Sequence, residues 1–111
     1  MNSHVLTLED NNTQHQIRVG DELLVKLPAL PGAGFRWTEE AAGASILQHQ
    51  STTYAPQTGH QASAAIGAAT LQRFTYRAAT PGTVELKFRY WRSWQGEGSI
   101  EKRFRTVIIV I

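Results

Sequence analysis

Large apolar side chains recur at every second position along most of this chain, a period that fits strands and little else. The strongest run is Val84, Leu86, Phe88 and Tyr90, and Phe104, Thr106, Ile108 and Val110 repeat it near the end. Leu23, Val25 and Leu27 form a third run, Gln72, Phe74 and Tyr76 a fourth, and Phe35 with Trp37 a fifth. Leu6 with Leu8 and Ile17 with Val19 alternate on either side of an Asp10-Asn11-Asn12 turn. No segment carries a 3.6-residue apolar stripe. Val107, Ile109 and Ile111, on the opposite parity of the last run, predict that its end is covered on both faces. Seven or so strands, with turn signals roughly every 8 to 15 residues, predict an antiparallel two-sheet β-sandwich.

The breaks are as informative as the runs. Pro28 and Pro31 are expected to forbid regular structure and, with Gly32 and Gly34, to make a stiff, tight loop between two strands. Residues Ala41 to Ser45 are small and suit a helical turn, and Ile46 to Tyr54 reads as a poor strand. From Ala55 to Ala69 the chain is rich in Ala, Gly, Gln and Ser, which predicts a long loop. Thr80-Pro81-Gly82 marks another break. The run Tyr90-Trp91-Arg92-Ser93-Trp94-Gln95-Gly96 ends a strand in a turn, an odd place for a second tryptophan unless something binds there. Trp91 and Trp94 have opposite parity, so one must leave the core. Trp94 is expected to be the exposed one, and Trp37 to be core.

A chain of 111 residues makes a single domain, 1–111, able to bury a core without staples. The absence of cysteine removes disulfides, thiolate zinc sites and a thiol nucleophile together. Net charge is +2, too small to name a partner, although Lys87, Arg89, Arg92, Lys102, Arg103 and Arg105 crowd the last quarter. No apolar run approaches the roughly 20 residues that cross a bilayer. Met1-Asn2-Ser3-His4 lacks the features of a signal peptide, which fits a cytoplasmic chain as written and a periplasmic or secreted one had a leader been removed.

Catalytic patterns are missing. His4, His15, His49 and His60 show no paired spacing and are expected to be surface residues rather than metal ligands. Glu39 and Glu40 are adjacent, so in a strand they point to opposite faces. There is no Gly-x-Ser-x-Gly elbow and no Gly-rich loop before a helix. Counting strands, the Pro31–Gly34 loop, the loop ending near Thr70 and the Arg92-Ser93-Trp94 loop fall on alternate connections. In a sandwich, three such loops project from one end.

These three segments resemble the chagasin-type inhibitors of papain-like cysteine peptidases. That family's first loop reads Asn-Pro-Thr-Thr-Gly, then an aromatic, any residue, and Trp. Here Leu30-Pro31-Gly32-Ala33-Gly34-Phe35-Arg36-Trp37 keeps the Pro, the last Gly, the aromatic and the Trp. The second family loop, Gly-x-Gly-Gly with a later Phe, is matched by Gly67-Ala68-Ala69-Thr70 and Phe74 in its first Gly and its Phe. The third, Arg-Pro-Trp two residues after a Tyr, is matched by Tyr90-Trp91-Arg92-Ser93-Trp94 in all but the Pro. The resemblance runs in order from about Leu6 to Val110.

It implies an immunoglobulin-like antiparallel β-sandwich of about seven to eight strands. It also implies a non-catalytic inhibitor whose loops wedge reversibly into a peptidase cleft. The implied contact residues are Leu30, Pro31, Gly32, Ala33 and Gly34, then Gly67, Ala68, Ala69 and Thr70, then Arg92, Ser93 and Trp94. The implied partner is a papain-like cysteine peptidase met by a monomer, with no cofactor, metal, nucleic acid or membrane. Gly32-Ala33 for two threonines, Ala69-Thr70 for two glycines and Ser93 for Pro are departures expected to spare the fold. They are expected to alter the strength or target of inhibition, or to abolish it. The rival reading is a nucleic-acid- or carbohydrate-binding β-module using the basic, aromatic segment 87–105. Placement decides between them: stacking requires aromatics on one open sheet face, and inhibition requires them at loop tips.

Overall fold

The computed structural model describes residues 2–41, 45–56 and 70–111. Eight strands form along the chain: β1 (Ser3–Leu6), β2 (Thr13–Ile17), β3 (Glu22–Ala29), β4 (Arg36–Ala41), β5 (Leu47–Pro56), β6 (Thr70–Ala78), β7 (Gly82–Trp91) and β8 (Lys102–Val110). They build two four-stranded sheets, ordered β1-β3-β6-β5 and β2-β8-β7-β4. The sandwich expected from the alternation is therefore what forms. Pairing is antiparallel except where the two short N-terminal strands join, β1 along β3 and β2 along β8.

Every strong alternating run buries one parity. Leu23, Val25, Leu27 and Ala29 face inward from β3, and Gln72, Phe74, Tyr76 and Ala78 from β6. Val84, Leu86, Phe88 and Tyr90 meet them from β7, and Phe104, Thr106, Ile108 and Val110 from β8. Phe74 and Phe88 touch across the two layers, with ring centroids 4.6 Å apart. Trp37 is buried at 2% exposure, as expected of a core tryptophan.

Several local expectations need correcting. Pro28 does not break the chain; it lies in β3, opposite Leu71 of β6. The β1 strand pairs only as far as Val25, so β3 has one free flank at Pro28. The Pro28 carbonyl turns away from β6 to accept the Trp37 indole N–H at 2.8 Å. A residue's N and carbonyl share a side in a strand, so the missing N–H costs no ladder bond. Leu8 lies in a 3-10 turn (Leu8–Asp10), not a strand. The poor strand at 46–54 is a full ten-residue strand reaching Pro56, with a bulge between His49 and Ser51. Thus Ala55 belongs to a strand, whereas 57–69, the rest of the expected long loop, lies outside the described residues. So does most of the small-residue stretch, 42–44. The end of β8 is covered less than expected: Val107 and Ile109 are half-buried and Ile111 is exposed.

Candidate functional site

The C-terminal ends of β3, β5 and β7 all lie at one end of the sandwich. The register fixes this: Ala29 at the end of β3 faces Thr70 at the start of β6, and Thr70 faces Pro56 at the end of β5. In the other sheet Arg36, which opens β4, faces Trp91, which closes β7, and Tyr90 faces Lys102, which opens β8. The first and third loops therefore project at the same end as the two stems of the second.

The first loop is a 3-10 turn, Pro31–Ala33, closed by a bridge between Leu30 and Phe35. Phe35 itself stands outside β4 and is half-buried. Tyr90 supports the loop from below. Its hydroxyl accepts the Leu30 N–H at 3.1 Å, and its ring stacks on Phe35 with centroids 5.3 Å apart. The same ring lies 5.0 Å from Trp37. Burial raises the Tyr90 pKa, so the hydroxyl stays protonated while it accepts the Leu30 N–H.

The third loop is a pair of 3-10 turns, Ser93–Gln95 and Glu97–Ser99, joined at Gly96 with φ +76°. Ser99 ties this loop from within. The Ser99 hydroxyl accepts the Arg92 N–H at 3.1 Å and lies 2.8 and 2.7 Å from the Arg92 and Gly96 carbonyls. Its one proton satisfies either carbonyl.

Two side chains stitch the third loop to the first. Arg92 donates from Nε to the Ala33 carbonyl at 3.0 Å, and its guanidinium sits 4.4 Å from the Phe35 ring centroid. Trp94 lays its indole over Gly34, where any Cβ would overlap the ring. Gly34 also has φ +86°, a conformation that L side chains rarely adopt. Both loops thereby become one body. With its other face Trp94 stays 69% exposed, the most exposed large apolar side chain among the described residues. Of the expected contact residues, Leu30, Gly32, Ala33, Gly34, Arg92, Ser93 and Trp94 are assembled here, with Pro31 on the loop backbone between them. Thr70 is half-buried at the stem of the second loop, and Gly67, Ala68 and Ala69 lie outside the described residues.

Sequence reading missed Gln72, whose inward parity was visible but whose task was not. Its side chain crosses between the sheets, accepting the Trp37 N–H at 2.8 Å and donating to the Trp37 carbonyl at 2.7 Å. β4 is an edge strand, and Gln72 supplies the two bonds a neighbouring strand would make. It also missed Ser99 and Tyr90 as loop supports. A serine near a tight turn and a tyrosine in a buried run were the only available signals.

The basic segment does not form a stacking platform. Phe88 and Tyr90 face the core, leaving Trp91 as the aromatic of β7 on the outer face. Trp91 is covered by Arg89, 4.0 Å from its ring centroid, and its indole N–H donates to the Thr38 hydroxyl at 2.9 Å. Arg89, Arg103 and Arg105 are each paired with a glutamate. His4 is not free at the surface but bonded to Asp21, and His60 lies outside the described residues. Among the described residues no group of His, Cys, Asp and Glu side chains is placed to hold a metal.

Residues 16–108 match the family model described as chagasin family peptidase inhibitor I42. The chain is similar to chagasin of Trypanosoma cruzi, 26% identical over 107 residues, spanning 92% of this chain and 93% of the relative. In structure it resembles the cysteine protease inhibitor EhICP2 from Entamoeba histolytica. That match has a TM-score of 0.88 at 17% identity and covers 100% of this chain and 97% of the other. It also resembles PbICP-C, solved in complex with falcipain-2, with a TM-score of 0.72 at 12% identity over 97% of this chain and 99% of the other. The sandwich is thus the immunoglobulin-like fold of these inhibitors. A rim of coupled bends on this sandwich accords with a family match over most of the chain, and that match leads to one conclusion: the chain belongs to the chagasin family of peptidase inhibitors and is an inhibitor rather than an enzyme.

Proposed function

We propose that this inhibitor of papain-like cysteine peptidases works by placing its loop rim in the active-site cleft as a reversible plug. The Leu30-Pro31-Gly32-Ala33-Gly34 bend lies nearest the catalytic thiol. Gly67, Ala68, Ala69 and Thr70 flank it on one side, and Arg92, Ser93 and Trp94 on the other. The observation that carries this reading is the coupling of the first and third loops through Arg92 on Ala33 and Trp94 on Gly34. Loops already locked together lose little freedom on docking and resist bending into a cleavable pose. A large indole held at a fixed height suits the anchor of such an interface. Arg92 has a positioning role, since its guanidinium is already engaged by the first loop.

The test is inhibition of papain acting on a small fluorogenic substrate. The wild-type protein is expected to slow hydrolysis, and Trp94→Ala is expected to weaken inhibition by about 2 kcal/mol, about thirtyfold in inhibition constant. Equal potency of the variant would remove Trp94 from this role.

A further inference from the structure

We infer that Arg36 and Tyr54 form an additional contact point of the inhibitor, one that reads carboxylates on the lip of the peptidase cleft. This presupposes the cleft-plugging mode and adds to it a determinant of which peptidase is preferred. Among the described residues, the exposed large apolar side chains at the loop end are Leu30, Trp94 and Tyr54. The first two belong to the loops; Tyr54 belongs to the stem of the second loop. It faces Gln72, two positions from the Pro56–Thr70 pair that marks the rim. Residues opposite one another share a sheet face, so Tyr54 stands on the side that Gln72 buries. Yet it is 46% exposed, because β5 is the edge of its sheet.

Arg36 approaches that ring from the edge strand of the other sheet, its guanidinium carbon 5.6 Å from the Tyr54 centroid. Arg36 also helps line an open groove with Gly32, Ala33, Gly34 and Trp94, so it stands between the first loop and the stem of the second. Among the described residues no carboxylate pairs with Arg36, whereas Arg89, Arg103 and Arg105 on the same sheet each have one. A guanidinium held beside an aromatic ring uses none of its N–H groups on it, and that planar fork fits a carboxylate in bidentate fashion. Tyr and Arg at the border of a docking surface are the side-chain types that interfaces favour. A charge at this border acts chiefly on association rate and partner choice.

The experiment measures inhibition constants and association rates for wild type, Arg36→Glu, Tyr54→Ala and Trp94→Ala. It uses two papain-like peptidases of known structure whose cleft lips carry opposite net charge, at low and high salt, with thermal melting of each variant as a folding check. Arg36→Glu is expected to weaken inhibition of the acidic-lipped enzyme about tenfold or more at low salt, less at high salt. It should leave the basic-lipped enzyme unaffected or better inhibited. Tyr54→Ala should give a smaller loss with the same preference. Equal changes on both enzymes, or none, with Trp94→Ala still weakening both, would overturn this inference and leave the plug intact. A wild-type protein that inhibits neither enzyme would remove both.

Discussion

At the residue scale, the site depends on a glycine rather than on a reactive group. Gly34 satisfies two conditions together: a φ of +86° and room for the Trp94 ring. Gly34→Ala is therefore expected to push the indole off the first loop without unfolding the sandwich, since Gly34 lies outside the strands. The checks are a loss of inhibition comparable to that of Trp94→Ala, a shifted tryptophan emission, and a melting temperature close to wild type. Unchanged inhibition would mean that the contact between Trp94 and Gly34 does not set the indole's position. The need for a small residue here was legible in the sequence, where Pro31 and Gly34 bracket a tight bend. Its second reason was not, because the ring it accommodates comes sixty positions later in the chain. Arg92 is a similar case. From the sequence, an arginine beside a loop tryptophan can either hold the loop through backbone carbonyls or meet acidic groups of the peptidase, and the bond to the Ala33 carbonyl favours the first.

At the scale of elements, alternation located the strong strands because period two is a local property of the chain. It failed where a strand's neighbours decide the outcome. Pro28 looks like a breaker from its own chemistry and is tolerated because β1 ends before it and leaves one flank of β3 free there. β5 lacks alternating apolar residues because, from Gln48 to Tyr54, its side chains are exposed at a sheet edge. The short first strand is held by a polar device that no pattern announced. Asp21 is buried at the turn into β3, and its carboxylate bonds the His4 ring at 2.9 Å and the N–H groups of Asn2 and Arg18 at 3.1 Å. The His4 bond first, then those two N–H groups, hold its pKa down from 3.8 to about 2, against the opposing pull of desolvation. A depressed carboxylate stabilises the fold above its unfolded value and ceases to do so as pH falls through its folded one. Asp21 should thus contribute fully above about pH 4 and lose its contribution as pH falls toward 2. Asp21→Asn is expected to melt below wild type at neutral pH, with the gap closing in that acid window. A gap that is constant with pH would show that the carboxylate's charge is not what holds β1.

At the scale of the whole molecule, polar contacts join the two sheets beneath the rim in addition to apolar packing: Gln72 on the Trp37 backbone, the Trp37 indole on the Pro28 carbonyl, and Tyr90 beneath the first loop. Gln72 joins residues 35 apart in sequence, so its role becomes visible only in three dimensions. Gln72→Leu would leave the Trp37 N–H and carbonyl without partners, each at a cost of about 1–3 kcal/mol. Urea unfolding is expected to show the sum of those losses with an unchanged slope. A loss under about 1 kcal/mol would mean that water replaces the amide, and that the clamp is dispensable. The central claim is that one end of a rigid sandwich occupies the cleft where substrate binds. Steady-state kinetics of papain across substrate concentrations, at several fixed amounts of inhibitor, test that claim most directly. The expected result is a rising apparent KM with unchanged kcat, reversed on dilution; a falling kcat with constant KM would contradict it.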